Sequence, residues 1–551
     1  MGKLAVVLVK CLGPIMPAPS SRLAGPQPRA PRRRARALVT ALVVVLPAMA
    51  AVAPASAAGA TSPGQLYAFG VNNDGQLGNG AGNGSLSANP TPAQLSVAAA
   101  NGTVVQVSTS KDHTLLLTSS GQVFSFGDNY YGQLGNSTNA NNSAITANPT
   151  PMPVTLPGPA AQVAAGDQFS LVLLSSGQLY AFGTNTEGQL GNANNDASIA
   201  NPAPTLVTLP GASGTVAQIA AGEDFSLALT SGGQVYAFGD NEYGQLGNTT
   251  NNATTAANPT PTLVGLSTGR VTQIAAGYDF SLALTSTGQV LAFGDNDYGQ
   301  LGNANNNGTT TANPSPAQVT LPGSAGPAVQ IAAGGYHSLV LTSSGQVFAF
   351  GDNNYGELAN AANNGSATAN PSPALVKMPA GAAGPAAHVA AGFDDSLVIT
   401  AAGQLLAFGN NVYGQLGTSV GNGASGPNPV PLPVGLPAGA TVDTVFSGPT
   451  SYSTFAVVAD LAIAAGPVSQ GRVHSAYAAQ VRATGGEAPY KWTATGLPPG
   501  LSIGAASGKI SGKPKAKGTF AATVTVTDRF GIRVSLHLKL IIKAAPITHK
   551  R

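Results

Sequence analysis

Sulfur, tryptophan and charge are all scarce in this chain. Of 551 residues one is cysteine, Cys11, and it falls in a segment expected to be removed. A mature chain without cysteine has no disulfide framework and no thiolate chemistry. Tryptophan also occurs once, at Trp492. The six histidines (His113, His337, His388, His474, His537 and His549) are scattered, and none forms the short spacing of a metal site. There is no Gly-x-Ser-x-Gly elbow and no phosphate-cradling glycine loop. The carboxylates sit mostly at turn positions, so no glycosidase pair can be nominated. A calcium reading of Asp295 to Asp297 lacks the loop glycine and the distal bidentate carboxylate of an EF-hand. The sequence therefore nominates no catalytic, cofactor-binding or metal-ligating residue. A protein that is not an enzyme, with no cofactor, is expected.

Charged residues amount to 8%, against 43% hydrophobic residues, 70 glycines and 41 prolines. That is the composition of a turn-rich β protein with uncharged Asn, Thr and Ser loops. The formal net charge of +3 hides three unlike segments. Residues 1–57 carry eight Lys or Arg and no acid. Residues 58–460 carry three bases (Lys111, Arg270, Lys377) against nineteen acids, a balance of −16. Residues 461–551 carry thirteen bases against Glu487 and Asp528, a balance of +11. The acidic body would repel a polyanion, so no nucleic acid is expected on it.

Arg32, Arg33, Arg34 and Arg36 precede a mostly apolar stretch from Leu38 to Val52, and Ala55, Ser56 and Ala57 follow. A basic run, an apolar run and a small-residue site read together as a secretory signal peptide over 1–57. The apolar stretch is short and is broken by Pro47. No later segment is apolar enough to cross a bilayer, so no membrane span is expected after leader removal.

The abundant feature is a repeat. Segments like GQLYAFG begin at Gly64, Gly121, Gly177, Gly233, Gly288, Gly345 and Gly403, with gaps of 57, 56, 56, 55, 57 and 58 residues. A fixed period of this length signals a radial or stacked repeat fold. Taken from Asn258, one period holds a proline-bearing edge strand (259–266), an alternating run (271–277), a second apolar run (280–285), a Ser-Thr-Gly turn and a further strand (289–293). Four strands are the content of one propeller blade. The strand at 65–69 has no preceding half-repeat, and the last half (442–448 with 455–458) has no following one. The two ends complement each other, so a ring closed by pairing them is expected, and closure removes exposed sheet edges. An open solenoid would leave both partial repeats uncapped.

Gly239 to Asn248 (GDNEYGQLGN), following Gln234 to Phe238 and combined with Ala-Ala-Gly-x-x-(His/Phe)-Ser-Leu, resembles the regulator of chromosome condensation repeat. The resemblance covers residues 64–459 in seven copies and implies an all-β, seven-bladed β-propeller over 58–460. The family usually has Trp where this chain has Phe69, Phe126, Phe182, Phe238, Phe293, Phe350 and Phe408. Its usual His persists at His113 and His337, and is replaced by Phe169, Phe225, Phe280 and Asp395 elsewhere. The region from Gly496 to Asp528 resembles an immunoglobulin-like repeat of bacterial secreted proteins. That implies a small β-sandwich over 461–551 acting as an adhesive or spacer module; its excess of basic residues either keeps it soluble or offers a contact to anionic cell-wall polymer.

Two loop sets are candidate binding surfaces. One is the Asn-rich inserts such as 248–258 and 303–313, whose Asn-x-Ser/Thr triplets are expected from composition alone. The other is the variable turn before each Ser-Leu, where Phe169, Phe225, Tyr278, Phe280, Tyr336, His337 and Phe393 form a candidate rim. The same rings could equally pack between blades. The leading expectation is a secreted or cell-surface, non-enzymatic, monomeric scaffold that recognises a protein or a glycan. The body also resembles certain secreted bacterial β-lactamase inhibitor proteins, which implies inhibition of a secreted enzyme through rim aromatics. Guanine-nucleotide exchange, as in the founder of the family, is a third reading and rests on fold analogy alone.

Overall fold

The computed structural model describes residues 64–545, apart from 81, 98–99, 141–146, 194–199, 267–268, 324–325, 438–439, 460, 466–469, 485–488 and 528–532. The expected leader, Asp460, Glu487 and Asp528 lie outside the described residues.

Every regular element among the described residues is a strand. Seven four-stranded antiparallel sheets form the blades of a propeller. Six are contiguous in sequence, at 104–153, 160–207, 216–263, 271–318, 328–375 and 386–433. Within a blade the strands are, in order, inner, second, third and outer. In the fourth blade the inner strand Val271–Ala276 alternates between buried and wetter positions, while Phe280–Thr285 and Val290–Gly294 are buried throughout. Burial on both faces explains why the middle strands are continuous apolar runs. The outer strands carry the prolines: Pro259 and Pro261 lie on Asn258–Leu263, at the edge of the third blade. A missing N–H is harmless there. That strand pairs with Val235–Gly239 before it, so the blade is one strand out of phase with a repeat begun at Asn258.

The seventh blade joins both ends of the propeller. Its sheet order is Asn89–Leu95, Gln65–Gly70, Ser453–Val458, Val442–Phe446. Gln65–Gly70 runs antiparallel to Ser453–Val458 without interruption, from Gln65 opposite Val458 to Gly70 opposite Ser453. Across the same seam, Ser453 Oγ donates to the Val71 carbonyl at 2.9 Å, and Asn89 N donates to the Tyr413 carbonyl at 3.0 Å.

Two repeated devices hold blade to blade. Each Gln of the Gln-(Ile/Val)-Ala-Ala-Gly motif straps its inner strand to the next. Gln106 Nε2 donates to the Val163 carbonyl and its Oε1 accepts from Val163 N, both at 3.0 Å. Gln162, Gln218, Gln273 and Gln330 do the same to Ile219, Ile274, Ile331 and Val389. Phe69, Phe126, Phe182, Phe238, Phe293 and Phe350 are buried beneath the preceding blade's Gly-Gln-Leu-Gly loop, and Phe408 beneath its fifth-blade counterpart ending in Ala359. At the seam, a β-carbon on Gly417 would lie 2.8 Å from the Phe69 ring. Glycine adopts its φ of +60 there without strain, whereas any side chain would press on that ring.

The C-terminal residues form a β-sandwich of two four-stranded sheets. Its core holds Trp492, Val481, Ile510, Val524, Val526 and Leu540.

Candidate functional site

Strand direction alternates within a blade, so the turn between inner and second strands and the loop between third and outer strands leave the sheet on the same side. Backbone bonds confirm the adjacency: Asp240 N donates to Asp224 O at 3.0 Å, Asp295 N to Asp279 O at 2.9 Å, and Asp352 N to Tyr336 O at 2.8 Å. The Asn-rich inserts and the variable turns therefore form one face. The Asn residues order the inserts that are described. Asn241 Nδ2 donates to the Thr250 carbonyl at 2.7 Å, Asn251 Nδ2 to Asn258 Oδ1 at 3.1 Å, and Asn258 Nδ2 to the Gly239 carbonyl at 2.9 Å.

The turns themselves are chained around the axis. Asp167 N donates to Glu223 O, Glu223 N to Tyr278 O, Tyr278 N to Gly335 O, Gly335 N to Phe393 O, and Phe393 N to Ser451 O, at 2.9–3.2 Å. Consecutive turn residues thus crowd round one centre, and their side chains meet although about 56 residues separate them.

The candidate rim divides accordingly. Tyr278, Tyr336 and Phe393 come together, with ring centroids 5.3, 5.4 and 5.5 Å apart. Tyr452 extends the cluster from Phe393 at 5.1 Å, Tyr298 from Tyr336 at 5.1 Å, and Tyr413 from Tyr452 at 5.2 Å. These last three were not singled out from the sequence. Tyr298 and Tyr413 carry a signal, the recurrent Asp/Asn-Asn-x-Tyr-Gly, while Tyr452 sits in the degenerate seventh repeat. All six rings are half-buried.

Phe169, Phe225, Phe280 and His337 are at most 1% exposed and present nothing to a partner. Each opens a second strand and points between blades; the glycine of Ala-Ala-Gly makes the room, since a β-carbon on Gly166 would lie 2.0 Å from the Phe169 ring. His337 is an inter-blade tie. Burial pushes its pKa down to about 3, so the ring is neutral, and Nε2 pairs with Ser396 Oγ at 2.9 Å. His113 does the same with Ser170 at 2.9 Å. In the sixth blade the position is Asp395, fully buried with neither carboxyl oxygen hydrogen-bonded.

The other half of the face is acidic. Asp112, Asp167, Glu223 and Asp224 come from the first three blades, around the exposed Lys111. Burial, with help from Asp167 and Glu187, raises Asp224 to about 7. Burial also carries Glu223 to about 8, against the hydrogen bond from the Tyr278 hydroxyl. Asp295 rises to about 6, chiefly by burial. Burial opposes the charge of Lys111, but Asp112, Asp167, Glu223 and Asp74 outweigh it and raise its pKa. In the fifth and sixth blades, one oxygen each of Asp352, Glu357 and Asp394, all buried, lie within 4.8 Å of one another.

Below the face runs an axial cavity of about 220 Å³, lined by Gln106, Gln162, Ala165, Ala221, Ala276 and Ser447 among others. Pockets for small organic ligands usually measure ~300–1,000 Å³. This cavity has room for roughly seven waters. The feature suited to recognition is the broad face, aromatic on one half and acidic on the other.

A ring of this build, with chemistry confined to its loops, is a binding scaffold. The family model described as "RCC1-like domain" matches residues 24–267 and 208–476, and the chain belongs to that family. The model described as "Putative Ig domain" matches residues 459–542. The chain is 33% identical over 322 residues to the human E3 ubiquitin-protein ligase HERC2 (58% of this chain, 6% of the ligase). It is 28% identical over 358 residues to the Arabidopsis thaliana ultraviolet-B receptor UVR8 (64% of this chain, 74% of the receptor). It thus spans only a small part of the human ligase's length. Human WBSCR16 superposes with TM-score 0.61 at 25% identity, covering 72% of this chain and 99% of that one. Saccharomyces cerevisiae Prp20p, whose structure was described with its binding to Gsp1p and histones, superposes with TM-score 0.62 at 24% identity, covering 73% and 93%.

Proposed function

We propose that this chain is an exported, non-enzymatic scaffold that captures a protein through the axial face. The observation that carries the reading is the joined cluster of Tyr278, Tyr336, Phe393 and Tyr452 beside Asp112, Asp167, Glu223 and Asp224. Half-buried, pre-stacked rings offer contact area with little rotamer entropy left to lose. Burial holds Glu223 and Asp224 at about 8 and about 7, so this half offers carboxyl donors and acceptors at neutral pH and draws a basic contact surface as it ionises above that. Export rests on the leader alone, and the basic sandwich serves as spacer or as a contact to anionic cell-wall polymer.

The test is capture from culture supernatant and from cell-wall extract by purified protein, alongside Phe393→Ala. A saturable protein partner that Phe393→Ala weakens by about 30-fold or more fits a central aromatic anchor. Capture of glycan alone, or of nothing saturable, removes the reading.

The same aromatic cluster favours a second reading, inhibition of a secreted enzyme such as a β-lactamase, with the rings covering the mouth of its active site. Titration against a β-lactamase panel decides it, and undiminished hydrolysis at excess protein eliminates it. Exchange activity on a small GTPase keeps only the fold analogy, and unaltered release of labelled nucleotide removes it.

A further inference from the structure

Glu357 breaks a rule that the other six blades keep. At this point in the Gly-x-Leu-Gly loop those blades have Gln76, Gln133, Gln189, Gln245, Gln300 and Gln415. The amide has two jobs. Its oxygen accepts the N–H of the residue two before it, as from Tyr243 to Gln245 at 2.9 Å and from Tyr298 to Gln300 at 3.0 Å. In four of the six, Gln133, Gln189, Gln245 and Gln300, its nitrogen donates to carboxylates. Gln300 Nε2 reaches Asp295 Oδ2 at 2.7 Å. Gln245 Nε2 spans two blades, reaching Asp240 Oδ2 at 2.7 Å and Asp279 Oδ1 at 3.3 Å.

In the fifth blade the first job persists, since Glu357 Oε2 accepts from Tyr355 N at 2.9 Å. The second cannot, because a carboxylate oxygen stands where the amide nitrogen donates. Oε1 is buried and has no hydrogen-bond partner, on a residue 1% exposed. Asp352 is the counterpart of Asp240 and Asp394 that of Asp279, and both are present and buried. A neutral hydrogen-bond donor between two carboxylates has been exchanged for a third carboxylate.

We propose that Asp352, Glu357 and Asp394 bind a divalent metal cation at the boundary of the fifth and sixth blades, calcium in preference to magnesium. Three buried carboxylate oxygens are hard ligands for a hard ion, and an uncompensated cluster of this kind would be strongly destabilising. Oxygens no more than 4.8 Å apart are close enough to share one Ca²⁺ at about 2.3–2.6 Å. Magnesium, at about 2.1 Å, demands a tighter octahedron and gives up water reluctantly. The ion takes over from the glutamine N–H₂ as the group that bridges the two carboxylates. It also braces the floor of the aromatic cluster, because Asp352 N is bonded to Tyr336 O and Asp394 follows Phe393. The site stands whether or not the axial face captures a protein.

The experiment titrates calcium, then magnesium, into chelator-stripped full-length protein by calorimetry, with thermal melts in parallel. The comparison is Glu357→Gln, which installs the side chain the six sister blades use and so retains the fold. The expected result is about one calcium per chain and a calcium-dependent rise in melting temperature. In Glu357→Gln the binding is lost, and the metal-free melting temperature is equal to or above that of the parent. Asp297→Asn, on a neighbouring loop outside the cluster, keeps the site. No saturable calcium heat and no melting shift in the parent overturns the proposal, as does an undiminished shift in Glu357→Gln. A parent indifferent to calcium whose melting temperature falls as pH rises, with the fall reduced in Glu357→Gln, overturns it in favour of a shared proton.

Discussion

The ring stands or falls at one seam, and a disulfide across it measures how much closure contributes. Gln65 faces Val458 and Leu66 faces Val457 on neighbouring antiparallel strands. Adjacent pairs in such a ladder alternate between wide, hydrogen-bonded and close, non-bonded spacing, so one of the two suits a bridge. The perturbation is Gln65→Cys with Val458→Cys, and separately Leu66→Cys with Val457→Cys, each with Cys11→Ser so that no other thiol competes. The bridge closes a loop of ~390 residues, for which the chain-entropy relation gives a ceiling of about 6 kcal/mol. A control bridge within the third blade, Val216→Cys with Thr230→Cys, closes ~15 residues, with a ceiling of about 3 kcal/mol. Comparing oxidised with reduced protein for one variant cancels the cost of the substitutions. The assay is denaturant unfolding with and without reductant. The better seam bridge should stabilise by about 2–4 kcal/mol and exceed the local control. Failure of both seam pairs to oxidise, or a seam gain no larger than the local one, would refute ring closure through these strands.

Other outcomes follow from the charges. Folded-state pKa values near 6 for Asp295, 7 for Asp224 and 8 for Glu223 exceed the unfolded values near 4, so folding takes up protons on these groups. Their contribution to stability is full below about pH 4 and is lost as pH rises through 6–8, at up to about 1.4 kcal/mol per pH unit per group. Thermal melts should therefore fall from pH 5 to pH 8, less steeply in Asp224→Asn; a flat or rising profile contradicts the burial argument. Asp395 has no partner for either oxygen where sister blades bury Phe or a bonded His, and burial raises its pKa well above the carboxylate range. Asp395→Asn should stabilise by roughly 1–3 kcal/mol at pH 8 and by less at pH 5. Equal effects at both pH values would show that the carboxyl is not the liability.

Strands, period and ring closure were legible in the linear order because each rests on local chemistry. Val271–Ala276 alternates, Phe280–Thr285 is apolar throughout, and glycine marks the turns, so the elements could be read almost to the residue. The two unmatched half-repeats likewise announced their partnership, and Gln65–Gly70 lies against Ser453–Val458. The site was only half legible. The variable turn was recognised, but which of its positions faces solvent was not. Phe280 and Tyr278 are two residues apart, yet one opens a strand between blades and the other caps the axis. Nothing in an aromatic side chain distinguishes those fates; the geometry of the turn does.

The repeat alone determined the architecture, since identical segments that cannot each bury a face must stack, and a half-segment at each end makes them close. Tertiary structure alone decided what meets at the centre. The turns converge on one axis, bringing Tyr278, Tyr336, Phe393 and Tyr452 into one cluster and setting Asp394 beside Glu357 from the blade before. Such contacts lie a full period or more apart in some pairs and follow from curvature, which no local pattern encodes.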